Sequence, residues 1–212
     1  MRPKTKKPRL PEAKVRAILE ANGVTQARSP VAVVAIRGYY LDSMGEAGAN
    51  DRRIYDDAHF VCWPDGYLAA QANTDPNGYR AGHGTGARKG MAMLKTGIHR
   101  YGTGLHRGRV AFRQCEKFTV LRDGEDGPYE HTGWHAINWH SGSGSSTSSL
   151  GCQTNPPDVW ATLRPHVYRL LEHYHAPQRK NDWGASVRSF DYVLIDETAR
   201  RRGDLLVSAR YL

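Results

Sequence analysis

The chain has no long hydrophobic run. Its strongest apolar stretch, Val31 to Ile36 (VAVVAI), falls far short of the about 20 residues that a membrane-crossing helix needs, so no transmembrane segment is expected. Cysteine is scarce. Cys62, Cys115 and Cys152 stand far apart and form no CxxC pair, which argues against a disulfide framework and against a paired zinc or redox site. There is no HExxH segment and no GxxxxGK[ST] loop. The basic start, MRPKTKKPRLPEAK, lacks the apolar core and small-residue cleavage site of a secretory signal, so the expectation is a protein made in the cytoplasm. Acidic residues number 21 against 30 Lys and Arg, a formal net charge of +9. That balance draws the molecule to anionic surfaces in general, among them nucleic acid, lipid and wall polymers. The interleaved basic and aromatic pattern of a nucleic-acid module is missing, so no nucleic-acid partner is expected.

The 212 residues are enough for one core and a small added element. Residues 1–30 read as a basic tail with one short helix, Pro11 to Asn22, flanked by Pro at its start and Gly23 past its end. They are expected to hang from a body formed by residues 31–212. In that body, short apolar or alternating runs (VAVVAIRGYY, AHFVCW, YLAAQAN, RVAFRQ, FTVLRD) are separated by Gly, Pro, Asn and Asp. The Asp-Gly pairs in WPDGY (Trp63 to Tyr67) and LRDGEDGP (Leu121 to Pro128) mark hairpins. Val159, Trp160, Leu163, Val167, Leu170, Leu171 and Tyr174 recur at helical spacing, with Pro157 in the first turn and Pro165 as a kink. FDYVLID, Phe190 to Asp196, returns as a strand. The fold class is mainly β with a few helices. Cys62 and Cys115 sit in apolar runs and are expected in the core, and Asp51, Asp56 and Asp57 read as a solvated turn.

HAINWHSGSGSSTSSLGCQTNPP, His135 to Pro157, is the segment that carries chemistry. A working cysteine needs a base near it and exposure to substrate, and Cys152 lies one small-residue loop beyond His140. As a regular strand, WHAINWH would send Asn138 and His140 to one face and His135, Ile137 and Trp139 to the other. Asn138 is then placed to orient the base, or to make a plain cross-strand bond. Gly151 lets a carbonyl approach the backbone, whose N–H groups would stabilise an oxyanion, and the following helix would add a favourable dipole for a thiolate.

These residues resemble the L,D-transpeptidase family of peptidoglycan enzymes. The family's strand-end His, loop and Ser/Thr-His-Gly-Cys motif correspond here to His140-Ser141, Gly142 to Ser148, and Ser149-Leu150-Gly151-Cys152, with Leu150 in place of the motif's His. LKTGIHRYGTGLH, Leu94 to His106, looks like the family's Thr-Pro-x-Gly-x-Tyr/Phe strand without its Pro. The resemblance covers about residues 55 to 200. It implies a β-sandwich with a helix after the nucleophile, Cys152 as nucleophile and His140 as base. It further implies that the Ser141 carbonyl fixes the imidazole, and that the Gly151 and Cys152 amides form the oxyanion hole. GANDRRIYDDAHF and SSLGCQTNPPDVW look more like divergent phage and prophage members, which implies an endolysin cutting peptide stems after release to the wall. The substrate groove is expected to involve Asn138, Ser149, Trp139 as a ring wall, and Arg88 (in GHGTGARKG, a loop rimming the cleft) for stem carboxylates, with Lys89 beside it. No metal and no cofactor is expected. The alternatives are stem cross-linking by the same thiol, a zinc peptidase using His131, His135 and His140, and a non-catalytic binder of wall polymer or nucleic acid.

Overall fold

The run beginning at Val31 becomes β1 (Ala32–Arg37), buried along its whole length, because both faces of its sheet are covered. In the computed structural model, which describes residues 7–84, 89–180 and 186–197, the further strands are β2 (Asp57–Trp63), β3 (Gly66–Ala72), β4 (Ala92–Leu94), β5 (Gly97–His106), β6 (Arg109–Gln114), β7 (Phe118–Arg122), β8 (Tyr129–Gly133), β9 (Trp139–Ser141), β10 (Gln153–Asn155), β11 (Arg179–Lys180), β12 (Ser186–Val187) and β13 (Ser189–Asp196). The helices are α1 (Glu12–Ala21) and α2 (Pro157–Tyr174). The protein is mainly β, and among the described residues no helix is long and apolar enough to cross a membrane. Arg88 and the C-terminal stretch lie outside the described residues.

One mixed sheet runs in the order β10-β9-β6-β5-β13-β1-β2-β3. Its two ends meet, since the Asn73 and Thr154 backbones exchange hydrogen bonds at 2.7 and 2.8 Å, so the sheet curls towards a closed barrel. The period-2 alternation of side chains sorts the core into two halves. Val33 and Ala35 join Val61, Tyr101, Phe112, Tyr192 and Leu194 beneath α2 and the small β4-β7-β8 sheet. Val34 and Ile36 join Phe60, Cys62 and Val193 on the opposite face.

That second face is closed by Val15, Ile18 and Leu19 of α1. The expected appendage is therefore part of the packed body, and each of these aliphatic side chains contributes about 1.5–3 kcal/mol by leaving water. α1 ends where the sequence marked it: Gly23 takes φ +70°, and the Gly23 and Val24 amides donate back to Glu20 and Leu19 carbonyls at 2.9 Å. Hairpins form at both Asp-Gly sites, β2-β3 and β7-β8.

Two further expectations fail. Asp56 and Asp57 are not in a solvated turn but fully buried, where Asp57 Oδ1 accepts the Gly38 N–H and Oδ2 both the Thr74 N–H and hydroxyl. Beside them the buried Arg37 pairs with Asp75 at 2.9 Å, the arrangement that makes interior charge tolerable. WHAINWH is not a regular strand either. Only its last residues pair in β9, because Ala136 takes φ +55° and breaks the ladder. Gln114 takes over the freed backbone: its Oε1 accepts the His135 and Ile137 amides and its Nε2 donates to the Glu116 and Gly133 carbonyls.

Candidate active site

The break at Ala136 builds the site. Leaving the strand geometry turns Ile137, Asn138 and Trp139 inward together and points the backbone around residue 136 at the cysteine. The Cys152 thiol donates to the Ala136 carbonyl and accepts the Asn138 N–H, both at 3.4 Å. Burial pushes the thiol up to about 11, with the Asn138 N–H and Arg107 pulling the other way.

His140 stands at the end of β9. Its Nδ1–H donates to the Ser141 carbonyl at 2.7 Å, which leaves Nε2 as the basic nitrogen. Burial lowers its pKa, opposed by the Ser141 bond, and Arg107 lowers it further. With the thiol raised and the imidazole lowered, the resting pair is neutral, and the thiol proton moves only when the sulfur attacks. One ring nitrogen of His140, one of His106 and the Cys152 Sγ all lie within 4.8 Å of one another. This trio of ligand-type atoms differs from the expected His131, His135 and His140: His131 packs instead against His135, and His140 against His106.

Residues 149–152 form a locked turn. Ser149 Oγ accepts the Gly151 N–H at 2.9 Å and donates to the Cys152 carbonyl at 2.6 Å. The Ala92 N–H of β4 holds the Leu150 carbonyl at 3.1 Å. Gly151 has φ +149°, and a Cβ there would lie 2.1 Å from the Ala92 carbonyl oxygen, so no other residue fits without moving the loop. Buried Gln153 supports the turn from below, its Nε2 donating to the Gly151 carbonyl and its Oε1 accepting from Tyr192. α2 begins only after β10, so the helix does not start at the cysteine.

Cys152, His140, Ser141 and Gly151 all line one cavity of about 1080 Å³. The expected groove residues are placed differently. Ser149 is buried and its hydroxyl is engaged inside the turn. Asn138 is buried, its amide directed at Gln114 and His106 rather than at His140. Trp139 is fully buried, with Nε1 donating to Asn155 at 2.6 Å. It is Trp160, not Trp139, that reaches the cavity wall. Asn138 and Trp139 face the core because the broken strand turns consecutive residues inward, and Ser149 because its hydroxyl closes the 149–152 turn. Arg88 lies outside the described residues, although His83, Gly84 and Gly90 on either side of it border the cavity.

Sequence reasoning missed His106 and three arginines. Arg107 and Gly108 form the two-residue turn between β5 and β6, both with φ above zero, the geometry that tight hairpins favour. That turn delivers His106, Arg107 and Arg109 to the cavity, and α2 adds Arg164. Arg107, Arg109 and Arg164 have no salt-bridge or hydrogen-bond partner among the described residues. The Arg-Gly turn was a local signal for the hairpin; nothing local marked which cleft it would meet. No family model, curated protein or solved structure matches this chain.

Proposed function

We propose that the protein is a cysteine peptidase that cuts the peptide stems of peptidoglycan, in the manner of an endolysin. The carrying observation is the line from Cys152 Sγ through His140 to the Ser141 carbonyl, set in a cavity bordered by three arginines without an ion-pair partner among the described residues. The resemblance of His140-Ser141 and Ser149-Leu150-Gly151-Cys152 to the L,D-transpeptidase motif supports a domain of that type. The arginines suit a substrate rich in carboxylates, as stem peptides are.

In the reaction, Cys152 Sγ adds to the stem carbonyl carbon as His140 Nε2 takes the thiol proton. The carbonyl π pair moves to oxygen, then returns as the C–N bond breaks, and His140 gives the proton to the leaving amine. Water, deprotonated by His140, releases the acid and restores the thiol. An amine in place of that water would make the same chain a stem cross-linker.

One observation favours a second reading. A cysteine and two histidines with converging atoms are a three-ligand set of the kind that holds a catalytic zinc with one position open.

The deciding experiment is mass spectrometry of purified peptidoglycan incubated with wild type and with Cys152→Ala, each with and without chelator. Soluble muropeptides released by the wild type, kept with chelator and lost in the variant support the thiol peptidase, and their masses name the bond. Release abolished by chelator transfers the activity to a metal. New cross-linked species without release identify a transpeptidase, and no change in any sample rejects all three.

A further inference from the structure

The cleft holds a second imidazole that the proton transfers above do not use. His106 ends β5, lines the cavity and stacks on His140, with ring centroids 4.6 Å apart. Its tautomer follows from two one-way hydrogen bonds. The Gln114 backbone N–H only donates, so the Asn138 amide must turn its oxygen to it, at 3.1 Å. Asn138 Nδ2 then faces His106 and donates to Nδ1 at 2.8 Å. A neutral imidazole that accepts at Nδ1 carries its proton on Nε2. Burial, assisted by His140, Arg107 and Arg113, lowers His106 to about 4, so near neutral pH the ring is uncharged and keeps one N–H.

The turn that carries the nucleophile lacks a donor at the same place. Gly151 N–H, which the family resemblance implies for the oxyanion hole, is engaged by Ser149 Oγ. The Cys152 amide remains, without a hydrogen-bond partner among the described residues. A hole with one donor stabilises a tetrahedral oxyanion less than the paired donors such sites use.

We propose that His106 is a catalytic residue, its Nε2–H donating to the substrate carbonyl oxygen as Cys152 adds to the carbonyl carbon, so that His106 and the Cys152 amide together form the oxyanion hole. One ring nitrogen of His106 lies within 4.8 Å of Sγ, and with Nδ1 held by Asn138 it is the Nε2–H that is free to meet a carbonyl oxygen at the about 2.7–3.1 Å that such donors require. His106 transfers no proton. The thiol proton goes to His140, and the charge that His106 meets is the carbonyl π pair on oxygen. The two stacked rings thus divide the work, one as base and one as fixed donor. This inference rests on Cys152 forming an acyl-enzyme, but not on the identity of the acyl donor.

The test compares two reactions of the same sulfur. p-Nitrophenyl acetate acylates Cys152 through an oxyanion, whereas iodoacetamide alkylates it without one. His106→Ala and His106→Phe are expected to slow acylation about 10²–10³-fold and to leave alkylation unchanged. His106→Gln, which restores a side-chain N–H, is expected to recover much of the loss, and His140→Ala to slow acylation without such rescue. Acylation unchanged in His106→Ala and His106→Phe overturns the proposal, as does an equal fall in acylation and alkylation, which would mean that His106 acts through the thiol or the fold. Failure of the ester to acylate wild-type Cys152 overturns it as well. Acylation by the ester with no muropeptide release sinks the peptidoglycan reading alone and leaves this role standing.

Discussion

His106 and His140 lie face to face, their ring planes only 11° apart. Two imidazoles so placed do not both carry charge in a partly buried cleft, because each proton would repel the other in a medium of low dielectric. His106 is lowered to about 4, first by burial and then by His140, and His140 is left as the group that takes the proton.

The pH profile of acylation follows. His140 works when neutral, so the rate rises with pH through a His140 pKa that burial and Arg107 hold below the ordinary histidine value of 6.5. Arg107→Ala removes part of that lowering, and the acid limb is expected to move to higher pH. The same substitution takes a stabilising charge from the thiolate, so the alkylation limb, near 11 in the wild type, moves up too. Rate measurements from pH 4 to 11 check both shifts; an acid limb that stays put or moves down refutes the assignment of Arg107.

Gly151→Ala is expected to abolish acylation while the sheet remains folded. The added methyl would sit 2.1 Å from the Ala92 carbonyl, and the least costly relief is displacement of residues 149–152, which carry the nucleophile. Circular dichroism retained with acylation lost is the expected pair of results. Wild-type acylation in this variant would mean that the turn is not the support of the nucleophile.

Zinc ions are expected to inhibit the thiol reaction. Cys152 Sγ and two neutral ring nitrogens converge within 4.8 Å, and small side-chain rotations bring them to the about 2.0–2.3 Å bonds that Zn²⁺ makes. Added Zn²⁺ should slow acylation reversibly, EDTA should restore it, and His106→Ala should require more metal for the same effect. Activation by Zn²⁺ would instead favour the metallopeptidase reading.

A stability prediction concerns the buried carboxylates. Burial and the adjacent Asp57 raise Asp56 to about 9, against 3.8 for an ordinary aspartate. One of its oxygens accepts the Asp51 N–H and the other has no hydrogen-bond partner among the described residues. Between those two pKa values the folded chain holds a proton that the unfolded chain has lost, so this group's contribution to stability is full below pH 3.8 and falls as pH rises towards 9. The slope is about 1.4 kcal/mol per pH unit for one proton. Asp56→Asn should remove it, making the variant more stable than wild type at neutral pH by denaturant titration, with the difference shrinking towards pH 4. A variant less stable at pH 8 would show that Asp56 is ionised in the fold.

Local patterns were legible where local physics decides. The apolar runs VAVVAI and FDYVLID, the turn residues of both hairpins, Gly23 after α1 and the apolar spacing of α2 each specify an element by short-range sterics and burial. Cys152 with Gly151 and His140 was legible for a similar reason: a nucleophile, a permissive backbone and a base lie within one short segment. Alternation misled at WHAINWH, because Ala136 at positive φ breaks the strand geometry that alternation assumes. Polarity misled at Asp56 and Asp57: the donors that hold Asp57, Gly38 and Thr74, are distant in sequence.

The sequence by itself thus determined β1, β2, β3, β6, β7 and β13, the two helices and the cysteine–histidine pair that the turn brings together. Only the tertiary structure decided that Asn138, Ser149 and Trp139 face inward, that His106 and the arginines of the β5-β6 turn border the same cleft, and that the Gly151 amide is already bonded. The physical reason is that these placements depend on the curl and register of the sheet, which are set by long-range pairing such as Asn73 with Thr154, and no short stretch of sequence encodes which distant turn will close over which cleft.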